Sequence, residues 1–174
     1  MTGHTELVRT RRILILLCFL VALGAAPAEA GAPGDGTLSV RDGKGLVQLS
    51  SRGTMIGRIA SGKLTVTDPN VNDNRRPVVL GAERRTVSRN QKTTIYAGKD
   101  IRLRITGGLA HVRFEGRGIH LSAVGRGRGL LDGVGDPAAG IFFDGVLSLN
   151  DEDYHSLPDA LTAFDLVGPP AARD

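Results

Sequence analysis

Residues Asp100 to Asp132, DIRLRITGGLAHVRFEGRGIHLSAVGRGRGLLD, carry the clearest structural pattern in the 174-residue chain. Apolar and polar residues alternate in three short runs, and glycines interrupt the alternation about every nine or ten residues. A period of two is typical of a half-buried β-strand, and a Gly-Gly pair between two such runs is typical of a hairpin. The pattern predicts an antiparallel meander with a hairpin turn at Gly107-Gly108, one apolar face and one basic face.

The apolar positions of these runs, with two from an earlier run, form the predicted core. Alternate side chains of a strand point to the same face of a sheet, so these positions share one face. We expect that face to be buried. The predicted core residues are Leu38, Val40, Ile101, Leu103, Ile105, Val112, Phe114 and Leu121.

An earlier part of the chain repeats this pattern. At an offset of 63 residues Leu38 corresponds to Ile101, and after a two-residue insertion Gly53 corresponds to Gly118. Chance similarity between glycine-rich segments is the alternative. Because two repeats are too few for a solenoid, we predict an all-β fold, an antiparallel β-sandwich or barrel built from two similar meander halves at 37–98 and 99–167.

Glycine is the second architectural signal. The chain contains 24 glycines in 174 residues, about twice the average usage of ~7%. Glycine favours turns because it tolerates a positive φ. We therefore predict tight turns between short strands, the first four of which are expected at 37–41, 46–50, 55–60 and 63–67.

Residues 1–30 are predicted to be a signal peptide that forms a helix. Three arginines, Arg9, Arg11 and Arg12, precede an apolar run at 13–26, and Ala28-Glu29-Ala30 is a small-x-small cleavage site. The run of 14 residues is short for a spanning helix, which needs about 20. An uncleaved membrane anchor is the alternative, and the export route, general or twin-arginine, stays open.

Cleavage after Ala30 removes Cys18, the only cysteine, and leaves 144 residues. Disulfides, a thiol nucleophile and cysteine-ligated metals are then excluded from the mature chain. The remaining length fits one domain. We predict a flexible leader at 31–36, a single all-β domain at 37–167 and a tail at 168–174 that frays.

Charge is unevenly distributed along the chain. Residues 31–134 contain 18 basic and 8 acidic residues, a net charge of +10, whereas residues 135–174 contain one arginine and 8 acidic residues, a net charge of −7. A basic sheet face is typical of proteins that bind polyanions. Arg102, Arg104 and Arg113 are the predicted binding residues, on two strands joined by the Gly107-Gly108 hairpin.

The same charge pattern could also arise without a binding partner. Arginine outnumbers lysine 14 to 4 in residues 31–134, as a GC-rich coding bias would produce. The acidic segment around Asp151-Glu152-Asp153 could also fold over the basic sheet and neutralise it internally. Both alternatives stay open at this point.

The oxygen side chains of Asp68, Asn70 and Asn72 alternate as in a calcium loop. Calcium loops of the EF-hand type also need glycine and glutamate further along, which are missing here. Asn and Asp also form turns. These three residues are therefore only a weak candidate for a calcium site.

Sequence patterns of enzymes are weak. Ser122 lacks the glycines of a nucleophile elbow, and no histidine pair has a zinc-binding spacing. His111 and His120 could be cross-strand neighbours, but the pattern favours exposed strand histidines. Glu83 and Glu115 could each pair with an aspartate for glycoside hydrolysis, but nothing in the sequence requires it. Nucleic acid is not indicated as a partner, because the chain has no tryptophan and few aromatic residues on which bases stack.

We therefore predict an exported, non-enzymatic structural or binding module of the cell envelope, cell wall, periplasm or extracellular space. No cofactor is expected, apart from calcium as a weak candidate. The first alternative is a polyanion-binding module whose partner is an anionic envelope polymer or polysaccharide, and the second is a glycan-active enzyme. Membrane contact is expected only through an uncleaved signal segment.

Overall fold

Eight β-strands form one antiparallel sheet in the computed structural model, which describes residues 34–73, 75–134 and 144–168. The all-β antiparallel prediction is confirmed, and the sheet is open rather than closed into a barrel. The predicted signal peptide and residues 169–174 of the predicted tail lie outside the described residues. In the described part no helix is long and apolar enough to span a membrane. The strands are β1 (Gly36–Thr67), β2 (Val78–Leu80), β3 (Arg84–Val87), β4 (Thr93–Ile105), β5 (Leu109–Gly133), β6 (Val146–Leu149), β7 (His155–Ser156) and β8 (Thr162–Leu166).

The strands β1 and β5 form the centre of the fold. The strand order is β2-β4-β1-β5-β8. In addition, β3 pairs with β4, β6 pairs with β1, and β7 pairs with β6. β1 pairs with β5 along both of its edges, so that Val47 faces Phe114 on one side and Leu131 on the other. Phe114 in turn lies between Val47 and Leu64. Because each strand flanks the other twice, the sheet coils on itself.

The predicted hairpin at Gly107-Gly108 is wrong. Both glycines have positive φ, 70° and 82°, but β4 and β5 form no ladder with each other in the described residues. They instead follow the same edge of β1 in succession, where Met55 faces Ile105 and Arg52 faces Leu109. A hairpin is unnecessary because β1 is long enough to pair with both runs.

The glycines of β1 also act differently from the prediction, since the four short strands expected at 37–67 are one continuous strand. Glycines on neighbouring strands face one another and form two transverse rows, which we call the glycine creases. At Gly62, φ is +147°, and a Cβ would lie 2.2 Å from the carbonyl oxygen of Glu115. Only glycine permits such a close approach of backbones, so the sheet bends at the creases. The first crease is Gly98, Gly62, Gly116, Gly45 and Gly133, and the second is Gly36, Gly125 and Gly53.

The core lies on the inner face of the bent sheet. All eight predicted core residues are buried and belong to one cluster that also takes in residues from β6 and β8. A sheet with one apolar face needs a covering layer. Here the sheet covers its own apolar face by bending.

Two of the predicted domain limits fall within strands. Gly36 of the predicted leader begins β1, and Asp35 forms an ion pair with Arg126 (Nε to Oδ1, 3.0 Å). The boundary between the two predicted halves, at residues 98 and 99, lies inside β4. The halves therefore share a strand instead of being separated by a loop.

Candidate functional site

A concave surface on the outer face of the sheet, which we call the outer-face depression, is the candidate site. Its volume is about 500 Å³. Two cross-strand rows cross it from β2 through β4 and β1 to β5: Leu80, Arg102, Arg58 and His120 in one, and Val78, Arg104, Ile56 and Ser122 in the other. Gly57 and Leu103 complete the lining. Neighbouring strands are about 4.8 Å apart, so the side chains of each row lie close together.

Three aliphatic side chains in this depression face solvent. Ile56 is 58% exposed, Val78 is 54% exposed and Leu80 is 63% exposed. β2 is a three-residue edge strand, so only Val79 points towards the core while its two neighbours stay outside. These three residues were not predicted as site residues. Their signal is the unbroken apolar run Val78-Val79-Leu80, which cannot be buried on both faces of an edge strand.

The arginines Arg58 and Arg102 share one carboxylate at the rim. Arg58 Nε lies 2.6 Å from Asp100 Oδ1, and Arg102 Nη2 lies 3.1 Å from Asp100 Oδ2. The hydrogen bond donated by Arg58 is the main reason why the pKa of Asp100 is lowered. The three charged groups together therefore carry one net positive charge. On β5, His120 Nε2 lies 3.1 Å from Asp42 Oδ1.

Arg104 differs from these two arginines. It is exposed, and within the described ranges no carboxylate lies at ion-pairing distance from its guanidinium. Its cross-strand neighbours are Val78 and Ile56. The depression therefore combines an aliphatic surface with a cation that has no acidic partner among the described side chains.

The structure brings Arg102 and Arg104 together but places Arg113 elsewhere, because the hairpin that would have joined them does not form. Arg113 faces Thr65, which is seven residues along β1 from Arg58. Its guanidinium donates to Glu115 Oε1 at 2.8 Å, and this bond is the main reason why the pKa of Glu115 is lowered and that of Arg113 is raised. Lys63 Nζ also lies 2.7 Å from Glu115 Oε2.

The acidic segment does not cover these arginines. Thr37 Oγ1 donates to Asp151 Oδ1 at 2.8 Å, and the Tyr154 hydroxyl donates to Ser39 Oγ at 2.8 Å. The Arg41 guanidinium lies 4.3 Å from the centroid of the Tyr154 ring. These contacts hold the segment against the beginning of β1. Arg102 and Arg113 instead form ion pairs with Asp100 and Glu115, each two residues away in the chain.

The predicted calcium loop is held together by turn hydrogen bonds. The Asn70 N–H donates to Asp68 Oδ1 at 2.9 Å, and the Asp73 N–H donates to the Asn70 carbonyl at 3.2 Å. Such bonds favour the interpretation that these residues form turns. No group of three or more His, Cys, Asp or Glu among the described residues could hold a metal ion. Calcium binding by Asp68, Asn70 and Asn72 stays a prediction.

The candidate catalytic carboxylates Glu83 and Glu115 lie apart. The Glu83 N–H donates to the carbonyl of Ala97 on β4. Ala97 faces Lys63 on β1, and Lys63 faces Glu115 on β5. Two strands therefore lie between the two glutamates. Three strand spacings are about 14 Å, too far for the two glutamates to form a glycosidase pair with each other, and the pairing of either with an aspartate stays a prediction. The two histidines are not cross-strand neighbours either, since both lie on β5.

The stability contribution of the Glu115 ion pairs should depend on pH. Because the pKa of Glu115 is lower in the folded state, its contribution is complete above the unfolded value of about 4.3 and is lost as the pH falls through the folded value. We expect Glu115→Gln to lower the free energy of unfolding by under about 1 kcal/mol at pH 7. This difference from wild type should disappear at a pH below the folded pKa of Glu115. Urea unfolding of both proteins at pH 7 and at such an acidic pH measures the difference. A difference that stays constant would show that Glu115 acts through packing.

Comparison of the chain with protein-family models, with curated proteins and with solved structures finds no match in any of the three. The function is therefore argued from the outer-face depression alone.

Proposed function

We propose that the protein is an exported, non-enzymatic binding module that recognises an anionic partner through the outer-face depression. The observation that carries this proposal is the position of Arg104. Its guanidinium stands in a concave surface, close to Arg102 and Arg58, without an acidic partner among the described residues. A cation that is not neutralised internally attracts external anions and orients them.

The chemistry of the nearby carboxylates supports a binding role over a catalytic one. A general acid near neutral pH needs a raised pKa, but the pKa values of Asp100 and Glu115 are both lowered by arginine hydrogen bonds. These two groups therefore stay ionised and serve to fix the arginines. Positioned arginines are well suited to holding an anion.

Retention of the purified protein on an anionic matrix tests the proposal. We expect retention that weakens steeply with salt, because bound counterions are released when basic residues contact the polyanion. Arg104→Gln should weaken retention and reduce the salt slope by about 1, as expected for one lost phosphate-type contact. The matched control is Arg113→Gln, which removes the same charge from an arginine that is ion-paired with Glu115 and lies outside the depression.

Two results would contradict the proposal. One is a wild-type protein that is not retained at low salt. The other is an Arg113→Gln variant that loses as much retention as Arg104→Gln, because binding would then follow total charge instead of the depression.

We also propose a sandwich-like architecture, an origin by duplication and a location outside the cytoplasm. The bent sheet forms a sandwich-like enclosure of the core, and the similarity of its two halves arose by duplication of one segment. Superposition of residues 37–98 on 99–167 tests the duplication. The proposed location is the cell envelope or extracellular space, and the intact mass of the exported protein tests the expected cleavage after Ala30.

A further inference from the structure

We propose that the outer-face depression binds a monomeric amphiphile, a molecule with one anionic head group on a hydrocarbon chain. This inference rests on the proposed function and narrows its anionic partner to one chemical class. The depression presents two chemistries side by side, and a ligand that satisfies both must be apolar over most of its length and anionic at one end.

The aliphatic side chains argue against a purely polar polyanion as the occupant. Ile56, Val78 and Leu80 are all more than half exposed on the surface that holds the arginines. Covering exposed hydrocarbon with hydrocarbon is favourable in proportion to the apolar area removed from water. A sulfated or carboxylated polysaccharide offers little hydrocarbon, so it would leave this gain unused.

The arrangement of the charges indicates a single head group. Arg58 and Arg102 are both bound to Asp100, whereas Arg104 has no carboxylate partner among the described residues. One such cation matches one anionic group. An extended polyanion would need several such cations in a line, whereas Arg104 is the one arginine lining the depression that is not bound to Asp100.

The cross-strand rows place the head group and the chain. Arg104 lies between Val78 on one neighbouring strand and Ile56 on the other. An anion held by Arg104 therefore has aliphatic surface on both sides. Ser122, next to Ile56 on β5, adds a hydroxyl that hydrogen-bonds to a head group or to an ester oxygen.

The size and shape of the depression favour a monomeric ligand over a membrane surface. Its volume of about 500 Å³ falls within the range of about 300–1,000 Å³ that is typical of small-molecule sites. Membrane-binding surfaces insert apolar side chains into the lipid. Here the aliphatic side chains line a concave surface, which admits a chain instead of penetrating a bilayer.

Titration of the purified protein with decanoate and decyl phosphate, at monomeric concentrations, tests this inference. Chemical shift changes of the isoleucine and valine methyl groups report binding. We expect at least one of the two probes to bind. Inorganic phosphate, which lacks the hydrocarbon chain, and octyl glucoside, which lacks the charge, should each bind at least about tenfold more weakly. The two probes also distinguish a carboxylate from a phosphate head group.

Matched variants locate the site. We expect Arg104→Gln and Ile56→Ser each to weaken binding about tenfold, from loss of a charge-assisted hydrogen bond and of aliphatic contact respectively. The control Ile95→Ala removes another exposed aliphatic on the outer face, away from the depression, and should leave affinity unchanged. Unchanged thermal unfolding of the variants would show that the loss is local.

The outcomes separate this inference from the proposed function. Salt-dependent retention on an anionic matrix, without binding of either amphiphile, would overturn the amphiphile inference and leave the anion-binding module standing. Binding to vesicles that contain anionic lipid, without binding of the monomers, would overturn it in favour of a membrane surface. If neither the matrix nor any amphiphile binds, both proposals fail.

Discussion

Replacement of Gly62 by alanine is expected to destabilise the protein by about 3–6 kcal/mol, a large effect for a single methyl group. A non-glycine residue at a φ of +147° is strained by about 1–3 kcal/mol. The added Cβ would also lie 2.2 Å from the carbonyl oxygen of Glu115, a backbone atom that cannot rotate away. The two strands must separate, and each ladder hydrogen bond lost there costs about 1 kcal/mol more. Urea unfolding of the variant measures the change.

Gly107→Ala is the matched control for this prediction. Gly107 also has a positive φ, +70°, but the atom nearest to its added Cβ is Nη1 of Arg75, 3.3 Å away at the end of a flexible side chain. We expect a cost of about 1–2 kcal/mol from the backbone conformation alone. If Gly62→Ala costs no more than Gly107→Ala, close approach of the strands at the glycine crease contributes nothing to stability.

The second large effect is expected at Phe114. Its ring is fully buried, and it fills the space over Gly57, where an added Cβ would lie 2.6 Å from the ring atom Cζ. Phe114→Ala should cost about 3–5 kcal/mol, because both burial and close packing are lost and a cavity remains. Thermal and urea unfolding measure the loss.

Ile95→Ala provides the comparison for Phe114. Ile95 is 38% exposed on the outer face of β4 and lies outside the core cluster. We expect its truncation to cost under about 1 kcal/mol, as is usual for surface positions. Equal costs at Phe114 and Ile95 would contradict the assignment of the inner face as the core.

The inner face of the sheet was predictable from the sequence because it depends on local alternation. Ile101, Leu103 and Ile105 share a face in any strand, whatever that strand pairs with. The partner of each strand was not predictable in the same way. A Gly-Gly pair fits both a hairpin and a bend in a continuing chain, and the choice here depended on β1, whose pairing residues lie far away in the sequence.

The same distinction applies to the candidate site: the common face of residues on one strand was predictable, and the pairing between strands was not. Arg102 and Arg104 are two residues apart on one strand, so their common face followed from the alternation. The separation of Arg113 from them depended on the pairing of β5 with β1. Val78 and Leu80 were missed because the exposure of an apolar run depends on whether its strand lies at the edge of the sheet.

The double pairing of β1 with β5 has a consequence for the time course of folding. Val47 and Leu131, which face each other, are 84 residues apart in the chain, and even Thr67 and Thr93 are 26 residues apart. Chain closure over such distances must be completed before the contacts stabilise anything, so proteins of this kind fold in milliseconds to seconds. Residues 36–52 of β1 have no permanent neighbour until β5 has been synthesised, whereas residues 55–67 can pair earlier with β4. The newly made chain therefore stays extended and accessible for longer than one whose strands pair with their immediate neighbours.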